Sequence, residues 1–190
     1  SLVTQVGRQV SLSAANTTDP GPIDTFTYRW DVVSNNGQGV AAATTRDFTF
    51  VPRYAGIYEV VLSVTDKDGD TSIARQTVVV NPDANISGTP AGAIELGTAA
   101  LLSATTSSTA VPAANFQGDT QTYRREYAWT ATSNAFLAAT PPSGETANVI
   151  PIAVGNHTVG LTVSEVFETA VTNVTLQQAT AVFSQASSSP

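Results

Sequence analysis

The sequence repeats itself once, and this internal repeat constrains the fold more than any other feature of the chain. Residues 6–14 align with residues 96–104 at an offset of 90 positions. Residues 28–30 align with residues 127–129 at an offset of 99, and the same offset relates three later sites: Pro52 with Pro151, Gly56 with Gly155, and 60–64 with 159–163. A period of about 100 residues predicts two copies of one compact unit.

The changes in offset predict where the two copies differ. The rise of nine positions after the first block indicates a longer loop in the second copy. A last block aligns Val78 and Val80 with Val174 and Leu176 at an offset of 96, so the second copy is expected to lack a hairpin tip, roughly residues 68–70. A polar linker with a proline follows the first copy. We therefore predict one domain at 1–81 and a second, divergent domain at 82–190 that ends in a Ser-rich tail.

Apolar and polar residues alternate in short runs throughout both copies. Val10, Leu12 and Ala14 share one face of such a run, and residues 58–64 show the same pattern. Only 12% of the residues are charged, and the abundant Thr and Val favour pleated strands. Runs with a period of two between turn signals are typical of antiparallel strands. The expected fold is all-β, with two tandem antiparallel β-sandwiches.

Charge and cysteine content exclude several classes of function. The net charge of −7 makes nucleic acid an unfavourable partner, because an acidic surface repels the phosphate backbone. The chain has no Cys, which excludes disulfides, a thiolate metal site and a Cys nucleophile. The sequence has no apolar run of 18 residues, so we expect no membrane span in this segment.

Two segments of the first copy resemble PKD-type domains, the immunoglobulin-like modules named after the polycystic kidney disease protein. The first runs from Asp19-Pro20-Gly21-Pro22 to Trp30-Asp31. The second, residues 50–70, combines a proline before a strand, a Gly-x-Tyr that enters a Val-rich strand, and a Thr-Asp-x-x-Gly hairpin. The resemblance covers about residues 1–81 and, more weakly, 82–178. It implies a spacer or adhesive module of a large exported bacterial or archaeal protein.

One motif departs from that family pattern. PKD-type domains usually carry Trp-Asp-Phe-Gly-Asp-Gly after the central strand, whereas here Trp30-Asp31 is followed by Val32-Val33, and the second copy has Trp129-Thr130. Any property tied to that acidic turn is therefore in doubt for this chain.

A cluster of acidic residues is a candidate calcium site. Asp66, Asp68 and Asp70 supply the carboxylate oxygens that Ca²⁺ prefers. Thr77 stands where the twelfth-position Glu of an EF-hand would lie, which excludes that loop. The alternative is a plain hairpin turn, since Asp-Gly is common turn chemistry, and we favour it. Asp19, Asp24 and Asp31 form a second, more weakly motivated group.

The remaining marked residues have structural interpretations that we favour over functional ones. Trp30 and Trp129 could stack on a sugar, but a Trp on the central strand of a sandwich usually fills the core. His157 aligns with Tyr58, which favours packing at the edge of the core. Arg124 and Arg125 are interpreted as a solvated strand face. Four glutamates are expected at exposed positions: Glu126, Glu145, Glu165 and Glu168.

No pattern of catalytic residues emerges, so we expect a protein that is not an enzyme and needs no cofactor apart from the candidate calcium. The favoured hypothesis is a structural or adhesive module of an exported, cell-surface protein or fibre, in contact with copies of itself or sister domains. Self-association is supported by the chain ends, where Leu176–Phe183 continue past the last matched strand. The alternative is an accessory module of a secreted hydrolase that binds polysaccharide or protein.

Overall fold

The computed structural model describes residues 1–18, 25–106, 112, 122–131, 135–139, 144–168 and 173–188. All regular elements of this described part are strands, which confirms the predicted all-β class. The chain divides into two compact units, one built on Ser1–Asn81 and the other on Pro82–Ser107 with Gln121–Pro190. Each unit is a β-sandwich.

The first unit contains six strands: β1 (Leu2–Gln5), β2 (Val10–Ser13), β3 (Thr27–Ser34), β4 (Asp47–Phe50), β5 (Gly56–Thr65) and β6 (Thr71–Asn81). One sheet has the order β1-β6-β5-β3, and β2 and β4 form the other. The pairs are antiparallel except that β1 runs parallel to β6.

Alternation along the strands directs one row of side chains into the core of the first unit. Tyr58, Val60 and Leu62 on β5 are buried, as are Phe48 and Phe50 on β4. Burial of this apolar surface is the main stabilising contribution to such a sandwich. The predicted inward faces are confirmed at these positions.

The second unit contains eight strands: β7 (Asn85–Ser87), β8 (Ile94–Glu95), β9 (Ala100–Thr105), β10 (Thr122–Ala131), β11 (Ala135–Ala139), β12 (Thr146–Pro151), β13 (Gly155–Glu168) and β14 (Asn173–Ser188). Its sheets have the orders β10-β13-β14-β8 and β11-β12-β9-β7. Here too the sheet that contains the last strand, β14, includes an early strand, β8, that runs parallel to it. Leu102, Val149, Val159, Leu161 and Val163 are buried in its core.

Several local geometries occur in both units at the aligned positions. Gly7 donates its N–H to the Pro52 carbonyl at 2.8 Å, and Gly97 donates to the Pro151 carbonyl at 3.0 Å. These two glycines have φ values of 77° and 76°, a left-handed conformation that a side chain would strain. The alignment of the first blocks therefore relates equivalent turns.

The alignment of the last block is wrong. Val80 of β6 lies opposite Gly56, and the residue opposite the aligned Gly155 is Ser187. Val174 instead pairs with Phe167, well before that point. The last strands therefore correspond at an offset of 107, because β13 and β14 form a longer hairpin than β5 and β6. The second unit has gained residues in this hairpin and has not lost its tip.

The segment expected to continue past the second unit belongs to its last strand. β14 pairs with β13 from Asn173 to Ser187, so Leu176–Phe183 and the Ser-rich stretch up to Ser188 lie within the sandwich. This pairing removes the argument for self-association that rested on Leu176–Phe183. In the described part of the chain, no helix is long and apolar enough to cross a membrane.

Candidate functional site

The candidate calcium residues lie in the turn between β5 and β6. Asp66 Oδ1 accepts hydrogen bonds from the backbone N–H groups of Asp68 and Asp70, both at 2.9 Å. The Asp66 N–H in turn donates to the Asp70 carbonyl at 3.0 Å, and Lys67 Nζ lies 2.7 Å from Asp68 Oδ2. The Asp66 carboxylate thus closes the hairpin, which is the role that the plain-turn interpretation requires.

The described residues do not gather any three His, Asp or Glu side chains closely enough to hold a metal ion. Asp31, of the second acidic group, forms an exposed ion pair with Arg29, in which Nε lies 2.7 Å from Oδ2. Asp19 and Asp24 lie outside the described residues. The calcium site stays the alternative to the favoured plain turn, and Ca²⁺ binding would require the turn carboxylates to rearrange or to recruit other oxygens.

The two tryptophans fill the cores at matching points. Trp30 is 4% exposed and Trp129 is 7% exposed. Trp30 Nε1 donates to the Thr45 carbonyl at 2.9 Å, and Trp129 Nε1 donates to the Gly144 carbonyl at the same distance. Trp30 also stacks on Phe48, with ring centroids 5.4 Å apart. Core packing is confirmed for both residues, and neither ring offers a face to a sugar.

A buried polar network that sequence reasoning missed closes one end of the first sandwich. Asn36 is fully buried, and its Nδ2 donates to the Ala55 carbonyl at 3.1 Å and to the Tyr58 hydroxyl at 3.0 Å. The Tyr58 hydroxyl lies 2.7 Å from Gln38 Oε1 and 2.9 Å from the Tyr54 carbonyl. Burial raises the pKa of Tyr58 to about 12. The Asn35-Asn36-Gly37 sequence was a turn signal, but the pattern does not show that Asn36 turns inward.

This network links two connecting segments of the first unit to strand β5. Gln38 Oε1 accepts from the Arg53 N–H at 2.7 Å, and its Nε2 donates to the Val51 carbonyl at 3.1 Å. The segment after β3, the segment after β4 and strand β5 are therefore tied together by side chains. Satisfied polar networks in a low-dielectric interior make the surrounding structure rigid.

His157 takes the place of Tyr58 in the second unit. It is 2% exposed, and its Nε2 lies 2.8 Å from the Ala153 carbonyl, which is the position aligned with Tyr54. Because a carbonyl only accepts hydrogen bonds, this contact places the proton on Nε2. The predicted packing at the edge of the core is confirmed. His157 and Tyr58 have equivalent structural roles, because each contacts the carbonyl four residues before it.

Glu165 is buried, contrary to the predicted exposed position. Its side chain is fully buried, and Oε1 accepts from Arg125 Nη2 at 2.8 Å and Nε at 3.2 Å. The two residues lie directly opposite each other on β10 and β13. The interpretation of Arg125 as part of a solvated face is also wrong, because its side chain is only 18% exposed. The alternation of the sequence indicates this burial, since Glu165 lies on the same face of β13 as the buried Leu161 and Val163.

Glu126 and Glu145 contact separate partners and do not face a common site. Glu126 and Glu145 are exposed as predicted, and Glu168 has no described side chain. Glu126 pairs with Arg124 at 3.0 Å on the outer face. Glu145 Oε1 accepts from the Tyr127 hydroxyl at 3.1 Å. Each of these carboxylates has a local structural partner.

Residues 2–80 match the family model described as the K319L-like PKD domain. The first unit belongs to the PKD family. This PKD domain shows the predicted Gly-x-Tyr entry into β5 and the Asp66 hairpin after it, so the resemblance inferred from the sequence is confirmed there. No curated protein matches the chain.

The solved structures that match the chain share little sequence with it. The fibronectin(III)-like modules of Clostridium thermocellum CbhA match 99% of this chain and 90% of their own, with 11% identity and a TM-score of 0.31. Murine CEACAM1b matches 99% of this chain and 96% of its own, with 11% identity and a TM-score of 0.31. Bacteroides ovatus SGBP-B in complex with a mixed-linkage heptasaccharide matches 93% of this chain and 41% of its own, with 17% identity and a TM-score of 0.30.

The PKD match, over residues 2–80, concerns the first unit. PKD domains are immunoglobulin-like modules of extracellular proteins and are typically non-catalytic. The match therefore supports a non-catalytic extracellular module.

Proposed function

We propose that the chain is a load-bearing spacer of an exported surface protein or fibre, and that its second unit is a divergent copy of the PKD domain. The observation that carries the proposal is the parallel pairing of the last strand of each unit with an early strand, β6 with β1 and β14 with β8. The matched turns, tryptophans and parallel strand pairs of the two units support a common origin.

In the first unit, tension between Ser1 and Asn81 would act on β1 and β6. The two strands are parallel and pair from Leu2 with Val78 to Gln5 with Asn81. A pull on the start of β1 and the end of β6 slides the strands in opposite directions along their length. The pairs are then loaded together, in shear, and are not opened one after another. The second unit has the same arrangement, with Ile94 and Glu95 of β8 beside Ser187 and Ser188.

The hydrogen-bonding pattern provides a matched pair of variants. Val6 donates its N–H to the Asn81 carbonyl at 3.0 Å. Since backbone groups alternate in direction along a strand, the N–H of Thr4 also points at β6, whereas that of Val3 points away. Thr4→Pro therefore removes a bond of the loaded pair. Val3→Pro places the proline on an edge strand with its missing N–H on the open side, where it is tolerated.

Single-molecule stretching of the full chain between two marker domains tests the proposal. We expect Thr4→Pro to lower the unfolding force of one unit clearly, while Val3→Pro stays close to the unchanged chain. Equal unfolding forces for all three proteins would mean that the β1–β6 pair does not carry the load, and would contradict the proposed role.

A further inference from the structure

The buried polar network of the first unit contains a chemically reactive pair, Asn36-Gly37. It is the only Asn-Gly pair in the chain. Spontaneous deamidation of asparagine is fastest at such pairs, because glycine has no Cβ and its backbone nitrogen can closely approach the preceding side-chain amide. Asn36 is fully buried, whereas Gly37 is exposed and has a φ of 72°. The reactive pair therefore lies where the interior of the sandwich meets solvent.

The folded network holds the Asn36 amide away from this reaction. Besides its bond to the phenolic hydroxyl of β5, Nδ2 donates to the Ala55 carbonyl at 3.1 Å and lies 3.3 Å from the Tyr54 carbonyl. Oδ1 accepts from the Gln38 N–H at 3.1 Å. The Gly37 nitrogen can bond to Asn36 Cγ only if the amide turns out of these contacts. Because satisfied buried networks are rigid, the closed sandwich slows that step.

The second unit does not carry the reactive pair. The alignment at an offset of 99 places Ala135 and Phe136 at the positions of Asn36 and Gly37. Ala135 packs against the core of the second unit. The corresponding end of the second sandwich is therefore closed without an amide that can react in this way, and the second unit serves as an internal reference for the first.

We propose that Asn36 is a deamidation site that the folded first unit protects, and that opening of the unit exposes it to an irreversible conversion. In the opened chain the Gly37 nitrogen loses its proton and bonds to Asn36 Cγ, and the Cγ–Nδ2 bond breaks with release of ammonia. Water then hydrolyses the five-membered ring at one of its two carbonyls, which leaves aspartate or isoaspartate at position 36. A molecule that has stayed unfolded long enough thus carries a permanent chemical change.

The product cannot rebuild the network. A carboxylate has no N–H to donate, so the carbonyls of Tyr54 and Ala55 would face a negative charge where they now face Nδ2 of Asn36. Burial of an unpaired charge is costly, and isoaspartate also adds a carbon atom to the main chain. A first unit that has reacted therefore refolds with lower stability, and the second unit keeps its own.

A comparison of the folded and the unfolded full chain tests the protection. Both samples are incubated at the same mildly alkaline pH, one in buffer and one in guanidinium chloride, and peptide mapping by mass spectrometry follows the products at position 36. We expect the folded chain to react more slowly by about a hundredfold or more, because the site must first open. Asn35, which no glycine follows, is the internal control and should react slowly in both samples. Equal rates at Asn36 in the two samples would overturn the proposal.

Two neighbouring substitutions test the loss of stability. Asn35 Oδ1 accepts from the Ile57 N–H at 2.8 Å, so Asn35→Asp keeps this contact. Asn36→Asp reproduces one product and removes the donor. We expect Asn36→Asp to lower the denaturant midpoint of the first unit clearly and Asn35→Asp to leave it nearly unchanged, whereas equal midpoints for both variants and the unchanged chain would contradict the proposal. The rate comparison uses the unchanged chain, so it holds even if Asn36→Asp does not fold, and neither result depends on the load-bearing role of β1 and β6.

Discussion

At the scale of single residues, each unit centres on an indole ring that is buried together with its polar atom. The indole N–H groups of Trp30 and Trp129, which are aligned residues, each donate to a backbone carbonyl at 2.9 Å. Burial of the ring contributes apolar contact, and the satisfied N–H avoids the cost of an unpaired buried donor. A smaller side chain would leave a cavity and an unpartnered carbonyl.

Truncation of either tryptophan should therefore be costly. We expect Trp30→Ala and Trp129→Ala each to lower the free energy of unfolding of its unit by about 3–5 kcal/mol. Ile73→Ala, at a side chain that is 60% exposed, is the control and should change stability by about 0.5 kcal/mol or less. Chemical denaturation followed by circular dichroism measures these values, and a loss below about 1 kcal/mol at either Trp would contradict the core assignment.

Tyr58 predicts a pH dependence in the alkaline range. Its pKa is about 12 in the folded protein, chiefly because burial disfavours the phenolate, against about 10 in an unfolded chain. The stabilisation from the neutral hydroxyl is complete below pH 10 and is lost as the pH rises towards 12. Tyr58→Phe should be less stable at neutral pH and should show a weaker decline between these values. Denaturation curves at several pH values test this, and parallel pH profiles of the two proteins would count against it.

At the scale of elements, the hairpin between β5 and β6 depends on one carboxylate that accepts two backbone N–H groups. The turn is thus built by Asp66, while Asp68 and Asp70 contribute mainly backbone donors. This division of roles makes the acidic residues of the turn separable by mutation.

Asp66→Ala should destabilise the first unit by about 1–2 kcal/mol, because two N–H groups lose their acceptor. Asp66→Asn keeps an oxygen acceptor and should cost less. We expect millimolar Ca²⁺ to leave the melting temperature of the full chain unchanged. A rise in melting temperature with Ca²⁺ that Asp68→Asn or Asp70→Asn abolishes would instead establish the calcium site.

The pair between Arg125 and Glu165 joins β10 to β13 beside an irregularity. The β13–β14 register shifts between Glu165 and Val166, where β14 carries the extra residue Leu176. A bulge re-aims side chains locally, and this one lies next to the buried carboxylate. The pair therefore couples the position of the bulge to the neighbouring strand.

Removal of one partner of this pair should be severe. We expect Arg125→Ala to lower the free energy of unfolding by about 3–5 kcal/mol, since it leaves a buried charge without its cation. The combination Arg125→Met with Glu165→Leu should recover most of that loss. Arg124→Ala removes an exposed ion pair and should cost about 1 kcal/mol or less. Similar losses for Arg124→Ala and Arg125→Ala would contradict the buried role of the pair.

At the scale of the whole molecule, the sandwiches have edges that offer unpaired backbone groups. β11 pairs only with β12, and β2 only with β4, among the described strands. Such edges are natural sites for association with another chain. Self-association of a surface fibre would use them.

We expect the sedimentation coefficient of the full chain to rise with concentration at low salt. Removal of residues 177–190 is not a suitable control, because it would delete most of β14 from the second sandwich. A charged substitution at an exposed edge position, such as Ser11→Lys on β2, is the better one and should reduce the rise. A constant monomeric value over the whole concentration range would exclude self-association and leave the spacer role.

The sequence by itself determined the features that depend on local chemistry. Alternation with a period of two revealed the strands and their inward faces, including those of Tyr58 and Val60. Turn glycines and central tryptophans showed the repeat at Gly7 and Gly97 and at Trp30 and Trp129. These signals are readable because backbone conformation and side-chain direction follow from neighbouring residues.

The tertiary structure alone decided the features that depend on distant partners. The register of β14 is set by its hydrogen bonds to β13, and a similar apolar pattern at Val174 and Leu176 led to the wrong alignment. Glu165 is buried because Arg125, forty positions away, lies opposite it across the sheet. The parallel closure of β1 on β6 likewise arises only when segments far apart in the chain meet, since strand pairing has no local sequence period.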